Sequence, residues 1–172
     1  MIRIFLKRQI RKFGAKYDYD TGYMDEVCDH DPFALVKLAM ARGFLEHRGP
    51  LSPAAWHTAR LRSAREADCG PCLELAVKIA EEEGLDRGTI ISILRGTVAD
   101  PDLARIAAYT DAVLANVPDQ TDHVKTMRAR YGTAGLNALS AAIVAGQFYP
   151  LYKRGLGHGI SCIPVLRELE AV

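Results

Sequence analysis

CGPCLELAVKIAEEEG, the run from Cys69 to Gly84, has the pattern of a helix with two cysteines in its opening turn. Pro71 lacks an N–H and has a pre-set φ, which suits a first helical turn and disfavours an interior strand. Behind it, Leu73, Leu75, Ala76, Val77, Ile79 and Ala80 recur too densely for a half-exposed strand and mark a broadly buried helix. The spacing predicts a helix from Cys72 to Glu83, ended by Gly84.

The flanking segments carry the same punctuation. Asp31-Pro32 and Ser52-Pro53 each place a capping side chain before a helix-compatible proline, predicting helices over 31–46 and from Ser52 toward Ala67. Asp86 to Leu94 forms a short helix ended by Gly96, and Asp100-Pro101 restarts the chain with Leu103, Ile106, Ala107, Thr110, Val113 and Leu114 on one face. After Val117-Pro118, two helices follow over Thr121 to Tyr131 and Thr133 to Gln147, the second rich in alanine. Alternating β-branched runs between turn signals are absent, so a sheet has no source. The expected fold is all-α: one domain over 1–172, a bundle of about seven to eight helices with its core in 50–156 and a basic helix and arm over 1–30.

Composition agrees with one globular body. The chain has 172 residues, 49% apolar and 25% charged, with formal net charge +1, which argues against nucleic acid as the main partner. The first sixteen residues are uneven, with Arg3, Lys7, Arg8, Arg11, Lys12 and Lys16 but no anion. Ile2, Ile4, Phe5, Leu6, Ile10 and Phe13 interleave with them, giving an amphipathic helix suited to a membrane surface or an acidic neighbour. Docking on the chain's own core or on a second subunit is the favoured reading. Lys7 and Arg8 interrupt the apolar run, so a secretory signal is not expected, and no stretch approaches the roughly 20 apolar residues of a membrane span. Cys28, Cys69, Cys72 and Cys162 then suggest a reducing, cytoplasmic setting in which thiols are free, catalytic or metal-bound.

Two cysteines at this spacing on a helix N-terminus bring their sulfurs together, while unpaired N–H groups and the helix dipole favour a thiolate. Gly70 and Pro71 between them are similar to the thioredoxin active-site tetrapeptide, without the strands of that fold. Two other readings compete: a pair of inert buried thiols, and a metal site in which Cys69 and Cys72 are joined by His158 and Cys162. No cofactor is called for.

A helix, then Cys-x-x-Cys opening a helix, an acidic stretch, Gly84 and Asp86 to Leu94 together resemble the alkylhydroperoxidase D-like and carboxymuconolactone decarboxylase family over about Pro50 to Leu156. The chain looks most like a branch carrying DCGPC, here Asp68 to Cys72, and YP-x-x-K/R-x-x-LGHG, here Tyr149 to Gly159. The resemblance implies an all-helical, self-associating protein. It implies a peroxidase or disulfide reductase taking electrons from a partner's dithiol or lipoyl group. It lends nothing to a decarboxylase, since decarboxylase members lack the dithiol. The family's peroxidases have a glutamate twelve residues before the first cysteine and a histidine four after the second; His57 and Ala76 stand there in this chain. Alanine relays no proton.

Substitutes are expected among neighbouring residues. His57 titrates near neutrality and is a candidate proton acceptor, against a plain packing role beside Trp56. Glu66 and Asp68 flank the dithiol and are candidate proton carriers, against ordinary helix-end residues. His158, between Gly157 and Gly159, is a candidate to close over the site with Cys162 as a resolving thiol, against a structural turn. The helix-dipole argument makes Cys69 the attacking sulfur and the family resemblance makes it Cys72, so the order stays open. The leading expectation is a thiol-dependent oxidoreductase, homo-oligomeric, acting on a small peroxide or a protein disulfide. A non-catalytic helical oligomer is the alternative, and non-redox chemistry at His57 and His158 is a third.

Overall fold

The structure, a computed structural model, describes residues 2–117 and 121–159. Among these there are eight helices and no strand: α1 (Ile2–Tyr17), α2 (Gly22–His30), α3 (Pro32–Leu45), α4 (Pro53–Glu66), α5 (Gly70–Glu82), α6 (Arg87–Arg95), α7 (Pro101–Leu114) and α8 (Thr121–Gly155). The all-helical single domain is as the sequence predicts.

The caps act as their residue types dictate. Asp31, Ser52, Asp86 and Asp100 each accept a main-chain N–H from the first turn of α3, α4, α6 and α7. Gly96 closes α6 at φ 76°, a left-handed conformation that glycine adopts without penalty. Two boundaries differ from expectation. Residues 22–30, which the sequence pattern places within an arm, form α2. The final helix, expected to stop at Gln147, runs through Pro150 to Gly155, with its break at Gly132 (φ 66°, ψ −177°).

The central element is α4, which packs against α5, α6, α7 and α8. On one side Leu61 and Ala64 join Leu73, Ala76, Val77 and Ala80 of α5 and Ile90, Ile93 and Leu94 of α6. On the other, Trp56 and Ala59 join Ile106 and Tyr109 of α7 and Ala138, Leu139 and Ala142 of α8. Each fully buried large apolar side chain contributes roughly 1.5–3 kcal/mol. Helices α4 and α8 are joined closely by side-chain to main-chain bonds: Ser63 Oγ donates to the Ile143 carbonyl at 2.6 Å and Gln147 Nε2 to the Ser63 carbonyl at 2.8 Å. Gly146 makes that approach feasible, because a Cβ there would sit 2.7 Å from the Ala64 nitrogen.

The N-terminal helix lies on this body. Ile10 is buried with Val27, Cys28 and Leu35, and Lys16 and Tyr17 both bond Glu82 at the end of α5. Ile2, Ile4 and Phe5 remain exposed. No described helix is long and apolar enough to cross a membrane.

Candidate functional site

The dithiol forms where the α4–α5 turn meets α8. Asp68 takes a left-handed φ of 48°, and Arg154 of α8 donates to the Ala67 carbonyl at 2.5 Å, holding the turn from outside. Cys69 follows as the N-cap of α5 with extended backbone, and Gly70-Pro71 supply the first turn. Cys72 therefore returns over Cys69. Their sulfurs lie 2.8 Å apart, both as free thiols, and both are buried, at 1% and 8% exposure.

The two thiols are electrostatically unlike. The Cys72 hydrogen bond pulls the Cys69 thiol down to about 6; burial opposes this, and the charges of Lys153 and Arg154 assist it. The same contact, with burial and the charge on Cys69, pushes the Cys72 thiol up. The contact thus favours ionisation of the pair at Cys69 over Cys72.

Three residues that the sequence reading did not select surround Cys72. Tyr19 Oη lies 3.8 Å from Cys72 Sγ, and Lys153 Nζ donates to Tyr19 Oη at 3.3 Å. Lys153 is 1% exposed, and its ammonium also sits over the Tyr19 and Tyr23 rings, 4.9 and 5.2 Å from their centroids. Helix geometry delivers Tyr19: Asp18 leaves α1 at φ 49° and the Tyr19 N–H bonds back to the Gly14 carbonyl at 3.0 Å, swinging the ring inward against Phe13. The Lys-Arg pair inside the quoted Tyr149 to Gly159 run was the available signal for Lys153.

The candidates named from sequence are scattered. His57 is fully buried in the first turns of α4, with Nε2 2.9 Å from Glu83 Oε2. Glu83 caps the far end of α5, roughly 16 Å of helix from Cys72, so the structure does not bring His57 to the dithiol. A carboxylate only accepts, which places the proton on Nε2 and leaves Nδ1 a buried acceptor without a partner. Burial holds the imidazole below its ordinary pKa despite Glu83. Arg48 holds Glu83 from the other side at 2.5 and 2.6 Å, bringing that carboxyl down to about 2.

Glu66 is exposed at the end of α4 and makes no described contact with either sulfur. Asp68 is exposed in the turn. His158 Nε2 lies 2.7 Å from Glu26 of α2, with its ring 6.4 Å from that of Tyr23. Tyr23 thus neighbours both His158 and the lysine. Cys162 lies outside the described residues. Cys28 is buried in α2 with its sulfur 3.9 Å from the Arg3 carbonyl, apart from the pair. Ala76 packs into the core among Leu61, Leu73 and Ala80.

Among the described residues no group of three or more His, Cys, Asp or Glu side chains comes together in a way that could hold a metal ion. Compared with family models, with curated proteins and with solved structures, the chain matches none. Cys69, Cys72, Tyr19, Lys153 and Arg154 are the groups from which a chemistry can be read.

Proposed function

We propose that the chain is a thiol-dependent oxidoreductase in which Cys69 and Cys72 cycle between dithiol and disulfide, reducing a small peroxide or a disulfide. The observation that carries this reading is the 2.8 Å contact between one thiol poised as a thiolate and one held protonated. Exchange chemistry needs that division: a nucleophile present at neutral pH, and a second sulfur that does not compete until the first has reacted. The division also favours Cys69 as the attacking sulfur. Burial of both sulfurs favours a peroxide or a slender disulfide over a folded protein as the oxidant.

The resemblance to alkylhydroperoxidase D-like proteins supports the same class of reaction, with a partner's dithiol as electron donor and self-association as the assembly. Exposed Phe33, Met40 and Phe44 on one side of α3 supply an apolar face for a second copy. The test is turnover of hydrogen peroxide and of a small aromatic disulfide with dithiothreitol as donor. Cys69→Ser and Cys72→Ser are each expected to abolish it. Turnover that survives both substitutions overturns the reading.

A further inference from the structure

We infer that Tyr19 and Lys153 stabilise negative charge on Cys72 during the second, disulfide-closing half of the reaction. On this assignment Tyr19 is a catalytic residue that touches the reacting sulfur, and Lys153 polarises and positions it. The inference rests on the oxidoreductase reading and adds the groups that replace the missing histidine relay.

A buried ammonium demands compensation. Lys153 is 1% exposed, and no carboxylate pairs with it among the described residues. Its neighbours are one hydroxyl oxygen and two aromatic faces, and its charge is felt by both thiols of the pair. An ammonium has donors only. Lys153 therefore donates to Tyr19 Oη, and the single Tyr19 O–H is shared between two acceptors, Cys72 Sγ at 3.8 Å and the Tyr23 hydroxyl, of which a charged Cys72 is the stronger. Burial, first among the causes, pushes the Tyr19 hydroxyl above its ordinary pKa, so it acts as a donor and not as a base. The groups facing Cys72 are then Cys69 of its own helix, Tyr19 and Tyr23 from the α1–α2 segment, and Lys153 of α8 with Arg154 beside the turn.

The charge has to change sulfurs during turnover. In the first half the Cys69 thiolate attacks a peroxide oxygen, the O–O bond breaks, the alcohol or water leaves with a proton from solvent, and Cys69 becomes a sulfenic acid. That step removes the Cys69 hydrogen bond, the first cause holding the Cys72 proton in place, and the Cys69 charge, leaving burial to oppose ionisation. In the second half Cys72 loses its proton and attacks the Cys69 sulfur. The S–O bond breaks, hydroxide leaves and takes up that proton as water, and the disulfide remains. With a disulfide substrate the first product is a mixed disulfide on Cys69, and Cys72 releases the second thiol. Tyr19 acts where Cys72 bears charge, in this second half alone, whereas the Lys153 charge also helps to keep Cys69 ionised for the first half.

The experiment follows both halves after a pulse of hydrogen peroxide on the reduced full chain, trapping sulfenic acid with dimedone and reading both cysteines by mass spectrometry. Tyr19→Phe keeps the ring and removes one oxygen. It is expected to form sulfenic acid on Cys69 at the wild-type rate but close the disulfide about tenfold more slowly at neutral pH, the scale of one hydrogen bond to a charged group. Its closure rate should rise at more alkaline pH than in the wild type. Lys153→Met is expected to slow closure likewise and, because its charge also lowers the Cys69 thiol, to slow sulfenic acid formation at neutral pH as well, and Lys153→Arg to recover most of both rates. Closure by Tyr19→Phe with the wild-type rate and pH profile overturns the inference while leaving the oxidoreductase reading intact. A wild-type chain that forms neither sulfenic acid nor disulfide overturns both.

Discussion

His57 and Glu83, twenty-six residues apart, meet through Nε2 and Oε2 at 2.9 Å and tie the start of α4 to the end of α5. With the short 67–69 turn at the other end, this contact sets the two helices antiparallel and seats the dithiol turn away from the histidine. Arg48 completes the arrangement, lying 4.6 Å from the Trp56 ring centroid while it holds Glu83. His57→Ala should cost about 2–4 kcal/mol of stability, from the lost hydrogen bond and the cavity left behind. Alkylation of Cys69 should proceed at the wild-type rate. A folded His57→Ala chain whose Cys69 reactivity changes would place the histidine in the chemistry after all.

Glu83 gives the same contact a pH signature. Its carboxyl is lowered from an ordinary 4.5 to about 2, so its contribution is complete above pH 4.5, fades as pH falls, and is gone below about 2. Urea midpoints measured down that range should fall less steeply in Glu83→Gln, which starts less stable but has no carboxylate there to protonate. Parallel acid profiles for the two chains would remove Glu83 as a source of acid lability.

Gly146 lets α8 lie against Ser63 and Ala64, and an alanine Cβ there would meet main-chain as well as side-chain atoms. Gly146→Ala should destabilise by about 1–3 kcal/mol, read as a lower urea midpoint at unchanged slope. Because Lys153 and Arg154 continue the same helix, the shift should also raise the pKa of Cys69. An unchanged midpoint would mean that α8 is free to move off α4.

The helix starts were legible because their chemistry is local. Asp31-Pro32, Ser52-Pro53 and Asp100-Pro101 satisfy orphan N–H groups within their own first turns. Helix α2 was not, since Thr21 makes no side-chain cap and Gly22–His30 is short and mixed in character. Pro150 reads as a stop, yet contacts with α4 on one side and Tyr19 on the other carry α8 past it. The dithiol was visible as four consecutive residues. Its partners were not, because Tyr19 and Lys153 are 134 residues apart and each looks like surface in its own window. His57 and His158 stood out by residue type alone, and residue type does not reveal that carboxylates elsewhere hold both imidazoles.

His158 and Glu26 form a half-exposed pair, with side chains 30% and 51% accessible. Such pairs are worth less than about 1 kcal/mol. His158→Ala should therefore shift the urea midpoint little and leave peroxide turnover and thiol reactivity near wild type. Loss of turnover in that variant would bring His158 into the site and revive its expected role as a closing residue.

The dithiol itself should make stability depend on pH only while it is reduced. Cys69 is lowered from an ordinary 9.0 to about 6, so between these values the unfolded chain binds the extra proton and stability rises with pH. The gain is complete above 9 and absent below 6. Cys72 acts oppositely: folded, it stays protonated, whereas unfolded it ionises around the same ordinary 9.0, so its contribution falls with rising pH there. The pair together predicts a maximum near about pH 8–9 in the reduced chain, and no such feature in the disulfide form, where neither sulfur titrates. Subtracting the oxidised from the reduced urea profile isolates it, with Cys69→Ser as the control that lacks the rise. A flat difference between pH 6 and 9 would show that Cys69 holds its proton as an ordinary thiol does, and would leave the pair without its nucleophile.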